Sequence, residues 1–269
     1  MKKFMSIVLT LVMTFTLAVP AFAAEHQEVP VEQAQIRAQI VAIIANASST
    51  EERDELLSNL LEKTPLAPVS SATTYTSDGG NEHVITGMPE VIESIVIDEN
   101  TQVDFYSTGD FGIKELEDIG TTDIPVPYAS YNYTNTYRAS YTIKNIFGGK
   151  IVETFVKGYF RYDGTNIPTA YLEDADYSKG TLIFWDCSSW DDGTGKNVRD
   201  KTAYCYADAY YDWTLDVSLG GSVGGEIGGV SGEVSGEVGG GLTIQDCNVY
   251  LKLICSKSGS ISATVSLED

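Results

Sequence analysis

The chain has 269 residues, with 38 acidic and 17 basic side chains, a formal charge of −21 and two histidines, His26 and His83. A polyanion of this kind repels nucleic-acid phosphates, so no nucleic-acid partner is expected. Two histidines leave little material for a His-based triad or a multi-histidine metal site, so no metal or cofactor is expected, while an apolar content of 43% suffices for a core.

Lys2 and Lys3 precede an uncharged apolar run from Phe4 to Val19, then Pro20 and the small-residue pattern Ala21-Phe22-Ala23. This order predicts a secretory signal peptide over residues 1–23, cleaved after Ala23. The run is short for a bilayer span of about 20 residues. Cleavage removes two lysines and no acid, which takes the charge to −23 and leaves a secreted, extracellular protein.

Residues 24–63 form a helical N-terminal segment. Val31, Ile36, Ile40, Ile43 and Ile44 fall near helical spacing, and Ser49 with Glu52 makes a capping box ahead of Leu56, Leu57, Leu60 and Leu61. Two short helices joined near Asn46 fit this pattern. They read either as a pair packed on the main domain or as a pro-segment or oligomerising arm. Residues 64–81, with Pro65, Pro68 and Gly79-Gly80, read as a linker, and residues 82–269 as one β-rich domain.

In that domain the apolar period changes to two. Gln102 to Tyr106 reads as a strand ending in a turn at Gly109. Tyr131, Tyr133, Tyr137, Tyr141 and Ile143 fall on one strand face, and Gly148-Gly149 and Asp163-Gly164 are turn signals. Leu182 to Trp185 reads as a further strand. The expected fold is mainly β: an antiparallel β-sandwich or elongated sheet with a long glycine-rich hairpin.

That hairpin belongs to residues 213–255. Between Gly220 and Gly241, 11 of 22 residues are glycine, and six of them form a ladder with a spacing of four. A spacing of four suits a close-packed membrane helix, but it is also even, so it suits one face of a strand. Eleven glycines cost a helix on the order of 10 kcal/mol relative to alanine, and Glu226, Glu233 and Glu237 would add to that in a bilayer. Strand alternation is better obeyed. Val217, Leu219, Val223 and Ile227 share the odd face, and after Gly229 the apolar phase flips to Val230, Val234, Val238 and Leu242. A hairpin turning at Gly229-Val230 explains the flip, with Val223 opposite Gly236, Ile227 opposite Gly232, Val234 opposite Gly225 and Val238 opposite Gly221.

Exported chains usually oxidise their cysteines, and four allow three pairings. A one-residue bulge at Gln245-Asp246 would put Cys205 opposite Cys255 and Trp213 opposite Cys247. The expected disulfides are Cys205–Cys255 and Cys187–Cys247, the alternative being Cys187–Cys255 with Cys205–Cys247.

The hairpin arms, 217–229 and 230–242, exceed the ~9–11 residues of a membrane-spanning strand. One face is Val/Leu/Ile/Gly, the other is Ser/Gly with Glu226, Glu233 and Glu237, and neither arm holds a lysine or arginine. This stretch resembles in pattern the amphipathic stem hairpins of β-pore-forming toxins. The resemblance implies a membrane-active hairpin whose pore has an acidic, cation-favouring lumen, with insertion needing a receptor or assembly. The reading is then of a secreted, non-enzymatic protein with a membrane or cell-surface receptor as partner. The alternative is that the same face packs as sheet core and the chain is an extracellular binding or adhesion module. It would then present Tyr131, Tyr133, Tyr137 and Tyr141, with Tyr204, Tyr206 and Tyr210, to a glycan or a protein. A third reading is a carboxylate-dependent hydrolase using Asp191 or Asp192.

Overall fold

The computed structural model describes residues 31–67, 74–76, 82–84, 90–120, 131–180, 185–216, 223–227, 230–234 and 241–268. Two helices, α1 (Val31–Asn46) and α2 (Thr50–Leu61), come first. Then follow β1 (Thr74–Thr76), β2 (Glu82–Val84), β3 (Val91–Val96), β4 (Thr101–Tyr106), β5 (Phe111–Gly120), β6 (Asn132–Tyr133), β7 (Thr136–Lys144), β8 (Lys150–Tyr162) and β9 (Thr169–Lys179). The chain continues through β10 (Trp185–Asn197), β11 (Thr202–Asp216), β12 (Val223–Ile227), β13 (Val230–Val234), β14 (Gly241–Ser256) and β15 (Ile261–Glu268). The molecule is mainly β, and its described strand pairs are antiparallel.

Local chemistry explains the helix starts and the tight turns. Ser49 caps α2 by accepting the Glu52 backbone N–H at 3.2 Å, and the Glu52 carboxylate reaches back to the Ser48 backbone N–H at 2.9 Å. At the β7–β8 turn the Asn145 carboxamide oxygen accepts the N–H groups of Phe147 and Gly149, and Gly148 donates to the Asn145 carbonyl.

One sheet runs β3-β4-β5-β7-β8, with β9 on the far side of β8 and β6 pairing β8 on the β7 side. The other runs β10-β11-β14-β15. Alternation gives the first sheet two apolar faces. Val103, Phe105, Phe111 and Ile113 point to α1 and α2, where they meet Ile36, Ile40, Ile44, Leu57, Leu61 and Leu66 in one buried cluster. Ala139, Tyr141, Ile143, Val152, Val156 and Phe160 point the other way, into a second cluster. Ala203, Cys205, Ala207, Ala209 and Tyr211 of β11 and Cys247, Val249, Leu251, Leu253 and Cys255 of β14 complete it. Gly158 shows how close the sheets come: a Cβ there would lie 2.8 Å from the Cys205 sulfur and 2.6 Å from the Tyr171 carbonyl oxygen.

The start of the segment read as a linker is anchored. Leu66 is buried and donates its N–H to the Ile146 carbonyl, and Ala67 donates to the Gln33 side chain. Of the strand read at Leu182 to Trp185, Trp185 opens β10 and the rest lies outside the described residues.

The expected disulfides are absent: Cys187, Cys205, Cys247 and Cys255 are all free thiols. The register is the reason. Cys205 faces Leu253 and Cys255 faces Ala203, so that pair is offset by two residues. Cys187 and Cys247 both face Tyr211, from opposite sides, which sets them two strands or about 9.6 Å apart and beyond the ~7 Å that a disulfide spans. The alternative pairing fails too, because the partners of Cys205 and Cys247 on the facing strands lie six positions away from them.

Candidate functional site

β11 and β14, 15 and 16 residues long, pair from Thr202–Ser256 to Asp216–Gly241. Their neighbours stop sooner. β10 accompanies β11 only as far as Trp213, and β15 joins β14 only from Asn248. Among the described residues, Thr214–Asp216 and Gly241–Cys247 therefore have no outer strand. β12 and β13 pair only with each other, Val223 with Val234 and Ile227 with Val230, so Gly228 and Gly229 lie between them.

This register is two residues tighter than alternation suggested. Val223 faces Val234 rather than Gly236, Ile227 faces Val230 rather than Gly232, and Val234 does not face Gly225, which pairs with Gly232. The reason is general: alternation sets which residues share a face but does not fix the register, which a shift of two leaves unchanged in phase. Opposed positions in a strand pair share a face, so the register pairs β-branched positions with each other instead of with glycines. The same tightening corrects the longer arms, where Ala207 faces Leu251 and Trp213 faces Gln245. A one-residue irregularity does occur, but it leaves out Ile244 instead of falling at Gln245-Asp246. On the hairpin side of it, Thr214–Thr243 and Leu215–Leu242 keep the register that Val223–Val234 also obeys. Of the remaining ribbon residues singled out from the sequence, Glu226 faces Ser231 and Glu233 faces Gly224, while Val217, Leu219, Val238 and Glu237 lie outside the described residues.

The tyrosines do not share one face. Tyr133 pairs with Arg161 and Tyr137 with Gly158, a one-residue offset between β6 and β7 that turns the two rings to opposite sides. Tyr141 is buried in the inner cluster and donates to the Asp104 carboxylate at 3.0 Å, and its hydroxyl also meets that of Tyr106. Tyr137 packs partly against the same cluster. Tyr131 is 44% exposed on the outer side, with the Arg161 guanidinium 4.6 Å from its ring centre. Tyr133, Tyr159 and Tyr171 join it, the last two stacked at 4.8 Å. Tyr159 and Arg161 were legible in the alternation Lys157, Tyr159, Arg161 along β8, but only the pairing shows that Tyr171 of β9 and Tyr133 of β6 accompany them.

The outer face of the second sheet carries Tyr204, Tyr206, Tyr210 and Tyr250. Tyr206 meets Tyr250 edge-on at 5.7 Å, and the Lys252 ammonium sits 4.1 Å from the Tyr250 ring centre and 5.3 Å from that of Tyr204. Tyr206 donates to Asp191 at 2.9 Å, and Tyr210 donates to Asp246. The Asp246 carboxylate, as hydrogen-bond acceptor, favours the protonated phenol and pushes Tyr210 up to about 12. Asp191 and Asp192 are successive residues of β10, pairing with Asp208 and Ala207, so they take opposite faces of the sheet.

Sequence reading passed over three cations. Arg37 and Arg53 are buried on the apolar faces of α1 and α2, and Lys144 is buried beneath α2. The signal was present: Arg53, Leu57 and Leu61 stand four apart on one helix stripe.

Among the described residues, no helix is long and apolar enough to cross a membrane. Comparison with protein-family models, with curated proteins and with solved structures finds no match for this chain.

Proposed function

We propose that this chain is a secreted, non-enzymatic β-sandwich protein whose glycine-rich ribbon inserts into membranes as one strand pair of an assembled pore. The observation that carries the reading is that β12 and β13 pair with each other in the register that β11 and β14 keep at Thr214–Thr243 and Leu215–Leu242, where among the described residues neither β10 nor β15 lies alongside. A lone two-stranded ribbon is marginal in water, and in lipid its edges must be closed by other strands. Both demands are met when several copies bring their ribbons together. The alternating Val/Ile and Ser/Glu pattern of 217–242 supplies a lipid-facing and a lumen-facing side, and the absence of basic residues there suits a cation-conducting lumen. A cluster to which both sheets contribute supports the sandwich reading.

The test is dye release from neutral, anionic and sterol-containing vesicles, and from native cell membranes, by residues 24–269. Release is expected, and it is expected to vanish in Ile227→Asp with Val230→Asp, which charges the apolar side of the ribbon. Glu226→Gln with Glu233→Gln and Glu237→Gln should weaken cation selectivity in planar bilayers. No release from any of these membranes overturns the reading and leaves the outer face of Tyr131 and Tyr133 as the candidate surface for a glycan or a receptor.

A further inference from the structure

We propose that the α1–α2 pair is an acid-releasable cover over the β4–β5 face, held by three ion pairs whose cations are buried and whose acids are open to solvent. Arg37 Nη1 of α1 lies 3.0 Å from Glu93 Oε2 of β3, with side-chain exposures of 5% and 43%. Arg53 Nη1 of α2 lies 2.5 Å from Glu115 Oε1 of β5, at 7% and 34%. Lys144 Nζ of β7 lies 2.9 Å from Asp54 Oδ1 of α2, at 2% and 44%. Each pair bridges a helix to the sheet, and in each the acidic side chain is the more exposed partner, although the Asp54 Oδ1 that pairs with Lys144 is itself buried and water reaches that carboxylate elsewhere.

The asymmetry decides what acid does. Protonating a solvent-reached carboxylate leaves its buried cation without a counter-charge, the arrangement that proteins tolerate least. The remaining surroundings do not supply a replacement. Lys144 is faced by Arg53 and Lys150, both of like charge, and otherwise donates to the Gly148 carbonyl at 3.3 Å. Arg53 also lies 3.5 Å from Asp54 Oδ1, the same carboxylate that serves Lys144. Arg37 has the Phe105 ring at 5.3 Å. The Lys150 and Arg138 side chains are taken up by Glu153. Asp104 and Lys114 lie on the opposite face of the sheet, with Tyr141. Glu51, Glu52, Glu55 and Glu62 of the α2 segment are exposed acids, and hydrogen bonds from the backbone and Ser49 at Glu51 and from Ser48 at Glu52 hold those two carboxyls below the ordinary range. Release uncovers Val103, Phe105, Phe111 and Ile113, which the helices otherwise bury. The inference stands independently of the ribbon reading.

Amide hydrogen exchange of the full mature chain tests it, corrected for the intrinsic pH dependence of exchange. On acidification below about pH 4, where carboxylates take up protons, residues 31–61 should lose protection at least tenfold before β8, β11 and β14 do. Glu93→Gln with Glu115→Gln and Asp54→Asn should show the same loss at pH 7, together with new trypsin cleavage after Lys63. Lys144→Met with Asp54→Leu replaces one pair by apolar groups, so it should shift release to lower pH. If the triple variant does not fold, the acid titration of the wild type and the Lys144→Met/Asp54→Leu shift still decide. Helices that keep their protection until the strands melt, or a release point that the apolar replacement leaves unmoved, overturn the proposal. Vesicle leakage need not change in either case, so failure here is distinguishable from failure of the ribbon reading.

Discussion

Asp110 carries an unusual proton affinity at the turn between β4 and β5. It accepts the Thr108 hydroxyl at 3.0 Å, and burial pushes its carboxyl up to about 7 despite that bond and one from the Ile146 backbone. The ordinary value is 3.8, so the folded chain holds this proton more tightly than the unfolded chain does. Its contribution to stability is fully present below about pH 4 and is lost as the pH rises through about 7. Asp110→Asn cannot ionise, so it should melt roughly 8–17 °C above the wild type at pH 8 and close to it at pH 4. Thermal melts at the two pH values check this; an equal difference at both would show that the carboxyl does not titrate in this way. Tyr141 teaches a related lesson. From its spacing it shared a face with Tyr131, but a single offset residue sends it inside, where Gly112 makes room for it. A Cβ at Gly112 would fall 2.7 Å from the Tyr106 hydroxyl and closer still to that of Tyr141.

Among the elements, the ribbon offers the sharpest test of register. In an antiparallel pair, directly opposed Cβ atoms lie about 4.5–5.5 Å apart, so paired cysteines can bond there, whereas diagonal positions are at about 7–8 Å. Val223→Cys with Val234→Cys, in a Cys187→Ala background, should cross-link on mild oxidation. Val223→Cys with Gly236→Cys should not. The reverse result, read by mass spectrometry of peptides, would restore the looser register. The helices show a different balance. Their five buried aliphatic side chains, Ile36, Ile40, Ile44, Leu57 and Leu61, contribute on the order of 8–15 kcal/mol at ~1.5–3 kcal/mol each. Three broken pairs at ~3–5 kcal/mol each subtract a similar amount. Loss of one pair therefore loosens the cover, and loss of all three removes it.

At the scale of the whole molecule, three of the four thiols sit in the cluster that joins the two sheets. Burial pushes Cys205, Cys247 and Cys255 each up to about 12, so they are almost wholly protonated at neutral pH. Cys187 is only half-buried at the sheet edge. A thiol reagent should label Cys187 first, and the other three together at the rate of global unfolding. Four thiols reacting in denaturant without reductant is the expected total; none reacting would show the sulfurs to be bonded.

What the amino-acid sequence determined by itself is what depends on neighbours in the chain. Alternation marked the β-rich body and the inner faces of β11 and β14, and the capping residues started α2. Period two identifies a face but is blind to a shift of two residues, so cysteines on the right face were matched with the wrong partners. It is also blind to a one-residue break, which is why Tyr131 and Tyr141 parted. Only the tertiary structure decided the order of strands, the register of β11 on β14, and the burial of Arg37, Arg53 and Lys144 under a helix layer. Those outcomes depend on turn lengths and on residues some 50 to 90 positions away, such as Glu93 for Arg37 and Lys144 for Asp54. No local pattern encodes them.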